Sequence, residues 1–540
     1  MIALTVDTPP PPSDAPEMPQ PPVRPRGEPD LSVLEDRVPD SARFSRRTAL
    51  LTLALGMLFA VLSYCPLWHT DLWGHLSYGR WIADHQSLPE TEPFLPLAEG
   101  VRVVDTAWLS QLAGYLAVRS MGAPALQFLY AAAITLTAAL LALLVIGRTS
   151  SLAWGLAAVG IFLFVDYQQL IAIRPQLAGL ACFAATFAIL NARRWQPFYW
   201  VLLPSIFALW ANLHGSFAVG LALMACFTTG RAIDIARRLK SSGPVLRDPV
   251  VRRRVLLLEL CAAAVLLNPY GLELYLETFR LAGNENVRSL IEWEPLTLRM
   301  MQGRTAAAAL LGLLVVLRLS PRRVSASEAL SLALFGFGAC WTSRIILWWG
   351  VIVAYVLAVH GAAIARRWRT AEPAPSPRSG LWTVATLGLA WIAFSYTPFG
   401  VRALHGPARD AHEADRRFRR AVSAMTPVDV ARYLHDHPPQ GQVFNTVEWG
   451  DYLLWAGPKD AQWFTTSHVH LIPAEVWQDY LRIAAAGFEW DRKLDRYGVN
   501  TVVADHAGRA DLIRMLRGTP GWTLEYEDAI AAVFTRDRPL

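Results

Sequence analysis

Charged side chains are scarce in this 540-residue chain. They make up 17% of it, against about 25% in an ordinary soluble protein. Lysine is nearly missing: Lys240, Lys459 and Lys493 are the only ones among 50 basic residues. Cysteine is rare as well, with five residues, all in apolar runs and none in a CxxC pair. The shortage of charge excludes a soluble multidomain enzyme and a disordered scaffold. The shortage of cysteine excludes a disulfide framework and a zinc motif. What abounds is apolar: 53% of residues are hydrophobic, with 21 Trp and 22 Phe, and the mean hydropathy is +0.28. That composition describes a multi-pass membrane protein whose aromatic rings anchor it at two interfaces.

The net charge of +6 does not point to nucleic acid. The basic residues alternate with apolar runs instead of lining one face, which is the pattern of positive-inside sorting. Residues 1–47 hold eleven prolines and too little apolar surface to fold alone, so they read as a disordered cytoplasmic tail. Apolar runs follow at about 48–66, 124–147, 152–169, 175–192, 198–212 and 215–235, then at 255–268, 304–319, 327–341, 345–364 and 380–399. Each is long enough to cross a bilayer, or nearly so.

Charge bias settles the ambiguous stretch 105–122. If it crossed, the eight basic residues from Arg231 to Arg254 would be translocated, an arrangement positive-inside sorting disfavours. The expectation is therefore an α-helical polytopic protein with about eleven transmembrane helices, N-terminus inside and C-terminus outside, in the bacterial inner membrane. The bundle occupies 48–400. Residues 67–123 form a large first extracytoplasmic loop with interfacial helices at 73–85 and 105–120, and 269–303 a second. A charged linker, 401–425, leads to a small extracytoplasmic α/β domain, 426–540, with short strands near Gln442, Trp463, Thr501 and Ala531.

Ionisable or strongly polar residues at span ends fall mostly on the outer side of this topology. They are Asp71, His75, Arg80 and Asp105 in the first loop, Asp166 and Arg174 after the third span, Asn212 and His214 after the fifth, Asn268 and Tyr270 after the seventh, and Arg344 before the tenth. Such residues are costly at a bilayer, so their gathering on one side suggests a functional site. Asp71, in Asp71-Leu-Trp-Gly-His75, would be partly desolvated and thereby a better general base. The alternative is that it caps the helix that follows. Arg174 and Arg344 suit a guanidinium fork on phosphate or a contact with lipid headgroups. His214 reads as a substrate contact or a plain turn residue, and Asn268-Pro-Tyr270-Gly as a turn. Glu292 and Asp451, taken alone, read as surface acids.

The stretch HTDLWGHLSYGRWIADHQSLPETEPF resembles the first-loop pattern of GT-C membrane glycosyltransferases. In particular it resembles that of uncharacterised bacterial members related to protein mannosyltransferases and lipid A aminoarabinose transferases. Ser289-Leu-Ile-Glu292 and Glu448-Trp-Gly-Asp-Tyr452 are similar to two short elements of oligosaccharyltransferase catalytic subunits, the second in altered order. The resemblance implies inverting transfer of a sugar from a polyprenyl-phosphate-linked donor to a glycan, lipid or protein acceptor, with Asp71 as base. It implies substrate contacts among His75, Arg80, Asp105, Arg174, His214, Asn268, Tyr270, Glu292 and Arg344. That family's paired metal-binding acids have no counterpart, since Asp166 stands alone, so no divalent metal is assigned. Two other classes fit the composition: a transporter or flippase of an anionic or lipid-linked substrate, and a non-catalytic membrane anchor. Neither internal repeats nor charges at mid-span, the marks of transporters, are visible.

Overall fold

The computed structural model describes residues 38–368 and 376–539; most of the tail expected over 1–47 lies outside them. Residues 38–47 form a 3-10 turn at Asp40–Ala42, the strand β1 (Phe44–Ser45) and the start of the first helix, so the expected boundary at residue 47 falls inside ordered structure. β1 pairs antiparallel with β2 (Arg378–Ser379), which joins the ends of the first and last bundle helices.

Each of the eleven apolar runs forms a helix. In chain order these helices and those between them are α1 (Arg46–Leu62), α2 (Leu72–His85), α3 (Trp108–Met121), α4 (Pro124–Thr149), α5 (Leu152–Ile171), α6 (Gln176–Leu190), α7 (Tyr199–Leu213) and α8 (Phe217–Leu239). They continue with α9 (Pro249–Val265), α10 (Glu273–Gly283), α11 (Glu285–Arg288), α12 (Met301–Leu319), α13 (Ala326–Trp341), α14 (Ile346–Ala365), α15 (Gly380–Ser395) and α16 (Pro398–His405). Among the described residues five of them are long and apolar enough to cross a membrane unaided, or six if α15 and α16, bent by 89°, count as one span. The fold is thus a multi-pass helical one, while eleven crossings and their direction remain expectations from charge bias.

α14 is the hub. Ile346 through Ala362 are all buried, as a helix apolar on every side must be, and it packs against α4, α5, α12 and α13. Surrounding helices bury one stripe and leave another bare, as at Leu129, Leu136 and Leu143 of α4 or Leu381, Val384 and Leu387 of α15. In water such stripes would be aggregation surfaces; against lipid tails they are the ordinary outer face of a bundle.

α2 and α3 have 14 residues each, a length of about 21 Å, too short for a bilayer core of about 30 Å. They lie against each other, and the approach is close enough to require glycine. A Cβ on Gly79 would stand 2.1 Å from the Gln111 carbonyl oxygen.

The C-terminal part folds as α17 (Ala411–Ala421), α18 (Val428–Asp436), β3 (Gln442–Asn445), α19 (Val447–Ala456), β4 (Gln462–Trp463), α20 (Ala474–Ala484), α21 (Trp490–Arg496), β5 (Val499–Asp505), α22 (Ala510–Gly518), β6 (Trp522–Glu527) and β7 (Ala531–Arg536). The stretch expected as a charged linker carries α17, whose Arg419 pairs with Asp415 and Asp429. Sheet order is β4-β3-β5-β7-β6, parallel from β4 to β5 and antiparallel beyond. β3 and β5 are buried along their whole length, as expected of parallel strands covered on both faces. Edge strand β6 alternates half-buried and exposed.

This unit is tied to the bundle by main chain. Leu67 N–H donates to the Ala421 carbonyl at 2.7 Å, and Ser423 N–H donates to the Leu67 carbonyl at 2.8 Å. At the opposite end guanidinium groups bind main-chain carbonyls: Arg193 that of Arg148, Arg254 those of Phe227 and Leu190, and Arg366 that of Thr149.

Replacing Gly79 by alanine is expected to wedge α2 from α3 and cost about 1–3 kcal/mol, the usual penalty of overpacking. A lowered melting temperature of the purified protein in detergent checks this.

Candidate active site

Where α2, α5, α6 and α14 meet beneath the C-terminal unit, four charged side chains form one continuous chain. Arg174, in the turn between α5 and α6, has its Nε 3.1 Å from Asp71 Oδ2. Its Nη1 donates to Glu292 Oε2, and Glu292 Oε1 lies 3.4 Å from Arg344 Nη1. Arg344 also donates to the Gln176 side-chain oxygen at 3.3 Å and stacks over Trp293 at 5.0 Å. Two acids and two arginines are strung together, and their formal charges cancel.

Local sequence explains each placement. Arg174 precedes Pro175, which cannot donate a main-chain hydrogen bond and opens α6 with φ −54°, so the arginine is presented at a fixed helix start. Arg344 sits in the 3-10 turn Ser343–Ile345 that leads into α14. Glu292 belongs to a second 3-10 turn, Ile291–Trp293, pinned by Ser343. That hydroxyl donates to the Glu292 carbonyl at 2.8 Å, and the Ser343 N–H to the Glu294 carbonyl at 2.9 Å. Asp71 precedes α2 but its side chain makes no capping bond. Its Oδ1 is buried with no hydrogen-bond partner among the described residues.

Electrostatics follow from burial. Glu292 is pulled down to about 2: burial opposes this, but Arg344 and Arg174 outweigh it. The reading of Glu292 as a surface acid is therefore corrected. It is fixed as a carboxylate between two guanidinium groups.

Around this chain lies a group of histidines. His75 is held by the Gln111 amide at 3.2 Å, and the same amide donates to Asp105 Oδ1 at 3.0 Å. Since an amide nitrogen can only donate, His75 Nδ1 accepts. Burial lowers the His75 pKa. It lowers that of His214 to about 3, with Arg344 adding to the effect. His214 also bonds the Ser216 hydroxyl at 2.8 Å and N–H at 3.0 Å. Asp105, pushed up to about 7 by burial, has one oxygen bound and the other unpartnered among the described residues.

The C-terminal unit supplies a third part. Asp451, expected at the surface, is fully buried. Its Oδ2 accepts from Ser467 N–H at 3.1 Å, and its Oδ1 faces His468 Nδ1 at 3.8 Å. A Cβ on Gly74 of α2 would fall 2.0 Å from that Oδ1, so only glycine admits the contact. His468 lies edge-on to His75 at 5.5 Å and packs on Tyr78 at 4.8 Å. His470 follows at 5.8 Å. Burial, then the nearby Asp71 charge, pushes Asp451 up to about 7. Burial drives His468 well below its ordinary value and His470 to about 4.

The structure therefore gathers Asp71, His75, Arg174, His214, Glu292 and Arg344, with Asp105 one amide away. Others of the expected site residues stand apart. Arg80 lies over Trp455 at 4.7 Å and bonds its carbonyl at 3.4 Å. Asn268 spends its side chain on its own turn, bonding the Val265 and Gly271 carbonyls and the Tyr270 N–H. Tyr270 presents a buried hydroxyl with no partner among the described residues. Asp166 is buried within α5 against the backbone of Gly350, below the chain of charges. Gln111, Gln176, Asp451, His468 and His470 were not singled out as site residues by sequence. Asp451 had one signal, its place in Glu448-Trp-Gly-Asp-Tyr452; for the others the only signal is polarity, in apolar helices for the glutamines and in a hydrophilic tail for the histidines. No group of three or more His, Cys, Asp or Glu with metal-holding geometry occurs among the described residues.

This arrangement of helices and C-terminal unit is a fold already known from solved membrane-protein structures. Among solved structures it is similar to ArnT from Cupriavidus metallidurans in the apo state, with TM-score 0.50 and 14% identity, covering 90% of this chain and 97% of that one. The same protein bound to undecaprenyl phosphate gives TM-score 0.48 and 12% identity over 90% and 97%. The Archaeoglobus fulgidus oligosaccharyltransferase in the apo form gives 0.45 and 13% over 84% and 69%. No family model and no curated protein matches the chain.

Docking of the C-terminal unit on α2 is expected to depend on pH through Asp451. Docked, the carboxyl keeps its proton to about pH 7; released to water it ionises near its ordinary 3.8. The docked form thus binds the extra proton between those values, and its stability falls as pH rises from about 4 to 7. The buried histidines act oppositely, adding stability as pH climbs towards 6.5. The difference between wild-type and Asp451→Asn melting temperatures isolates the first effect: the wild type should lose ground to the variant from pH 5 to pH 8.

Proposed function

We propose that this protein is a GT-C-type glycosyltransferase that moves a sugar from a polyprenyl-phosphate-linked donor to an acceptor hydroxyl, with inversion at the anomeric carbon. The observation that carries this reading is the half-buried Asp71–Arg174–Glu292–Arg344 chain, which sets a carboxylate with one uncommitted oxygen beside two arginines at helix starts. The fold shared with ArnT supports the class of reaction. ArnT has itself been seen with undecaprenyl phosphate, a lipid of the kind proposed here.

In the proposed step the acceptor oxygen bonds to the anomeric carbon as the bond from that carbon to the phosphate oxygen breaks. The leaving electron pair goes to the phosphate, and the hydroxyl proton to Asp71 Oδ1. Arg174 and Arg344 stabilise the second negative charge that develops on the departing phosphate. The surrounding histidines, kept neutral by burial, add no competing positive charge and can position hydroxyls by hydrogen bonding. The C-terminal unit closes the chamber over α2. The orientation proposed with it, supported by the charge bias of the loops, has the N-terminus inside and the site, with 426–540, on the outer face of the inner membrane.

Asp71→Asn should abolish transfer from a polyprenyl-linked sugar while the protein still inserts; transfer at the wild-type rate would exclude Asp71 as base. Arg174→Lys should already reduce transfer by tenfold or more, since a point charge cannot serve two oxygens at once (roughly 1.5–3 kcal/mol for a hydrogen bond to a charged group). Orientation is checked separately on two exposed serines. In intact cells an impermeant thiol reagent should reach Ser87→Cys and leave Ser242→Cys unlabelled.

A further inference from the structure

The charge balance of the site poses a difficulty for any anionic ligand. Arg174 and Arg344 are both already matched, by Asp71 and Glu292, so the buried site carries no surplus positive charge to attract a phosphate. Of the two acids, Asp71 touches only Arg174, whereas Glu292 bridges both guanidinium groups with its two oxygens. A phosphodiester presents two such anionic oxygens and the same single negative charge.

We propose that Glu292 is an internal competitor for the donor: its carboxylate occupies the phosphate position between Arg174 and Arg344, and donor binding exchanges phosphate for carboxylate, one charge for one. This rests on the donor reading above and adds to it a residue that sets donor affinity.

Three features of the structure support the exchange. Ser343 holds the Glu292 and Glu294 carbonyls, so the main-chain turn stays in place and only the side chain has to swing. Protonation cannot release it, because the two arginines hold the carboxyl down to about 2; another anion must take its place. Arg344 keeps contacts that do not involve Glu292, Gln176 at 3.3 Å and the Trp293 ring at 5.0 Å, so the guanidinium stays aimed while its anion is exchanged. Arg174 likewise retains Asp71. The competitor also keeps Arg344 from facing Arg174 with no anion between them, an arrangement of like charges that is unfavourable where water is partly excluded.

Competition predicts opposite signs for two measurements on Glu292→Gln, which keeps the shape and removes the charge. Without ligand, the full-length protein in detergent should melt at a lower temperature than wild type, because two ion pairs are lost. With undecaprenyl phosphate as the probe, the variant should bind more tightly than wild type, by about tenfold, the step that one charge-assisted contact is worth. Its ligand-induced rise in melting temperature should be correspondingly larger. A purely supporting role for Glu292 would lower the melting temperature and weaken binding together, and a direct role in holding the donor would weaken binding; either result overturns the proposal. If neither form binds undecaprenyl phosphate, the donor reading itself fails and this one falls with it. Because no step of the test measures sugar transfer, a failure of competition is distinguishable from a failure of the reaction assignment. Glu292→Asp serves as the check on charge against reach: it keeps the charge, and its shorter side chain should give up Arg344 before Arg174 and bind the probe with intermediate affinity.

Discussion

Two half-buried arginines paired with two acids constrain everything else at this end of the bundle. Breaking a fully buried pair costs roughly 3–5 kcal/mol, and a pair that water still reaches costs less. Arg174 and Arg344 are therefore more stable where they are while anions face them. The need for those anions dictates the course of three separate segments. The first loop must return to bring Asp71 under the turn between α5 and α6. The 284–300 segment must fold back over the bundle to bring Glu292. Ser343 must tether that segment to the head of α14. The site is a set of charge debts settled locally by chain segments far apart in sequence.

The C-terminal unit belongs to that same end through contacts of a different kind. Asn286 donates to the Val469 and Ile472 carbonyls, and the Trp477 indole donates to Ser289. The unit therefore clasps the segment that carries Glu292 while resting, through Asp451 and Gly74, on the helix that follows Asp71. Both acids of the chain of charges are thus backed by helices α19 and α20 and the turn between β4 and α20, all of the same C-terminal unit. The proximity of that unit accounts for the burial that lowers the pKa values of His75, His468 and His470.

How much of this could be read from sequence depends on which physical signal was local. Apolar runs are local, and all eleven of them are helices; the amphipathic pair α2 and α3, too short to cross, was visible for the same reason. Strands β3, β4, β5 and β7 showed as short β-branched or aromatic segments, whereas β6, WTLEYE, was missed because its alternation is that of an exposed edge. The gathering of Asp71, Arg174, His214 and Arg344 was inferable because costly residues at span ends have few places to go. Asp451 was not, since nothing in Glu448-Trp-Gly-Asp-Tyr452 says that a glycine on another element, Gly74, leaves room for it. The acceptor role of His75 Nδ1 was equally hidden, because Gln111 decides it from 36 residues away. Arg80 shows the converse: its place in a suggestive motif gave it weight, yet the indole of Trp455 is where its stem and charge are accommodated.

The arginine-for-lysine bias of the chain acquires a physical meaning when the two ends of the bundle are compared. At the end opposite the site, guanidinium groups bind carboxylates and main-chain carbonyls alike: Arg231 the Asp248 carboxylate, Arg193 the Arg148 carbonyl, and Arg254 those of Leu190 and Phe227. A guanidinium has five donors in a plane and can serve two acceptors at once, while an ammonium presents a compact, strongly hydrated charge. Where a helix ends inside the bundle, as α4 does next to Arg148 and α6 at Leu190, uncapped carbonyls need such donors, and lysine would satisfy them less well at a higher cost of dehydration. Some of the arginines that read in sequence as orientation signals are thus also structural caps. At the site end of the bundle the difference is one of sharing: a single carboxylate, Glu292, answers two guanidinium groups at once, and a carboxylate, unlike a main-chain carbonyl, is an anion that another anion can replace.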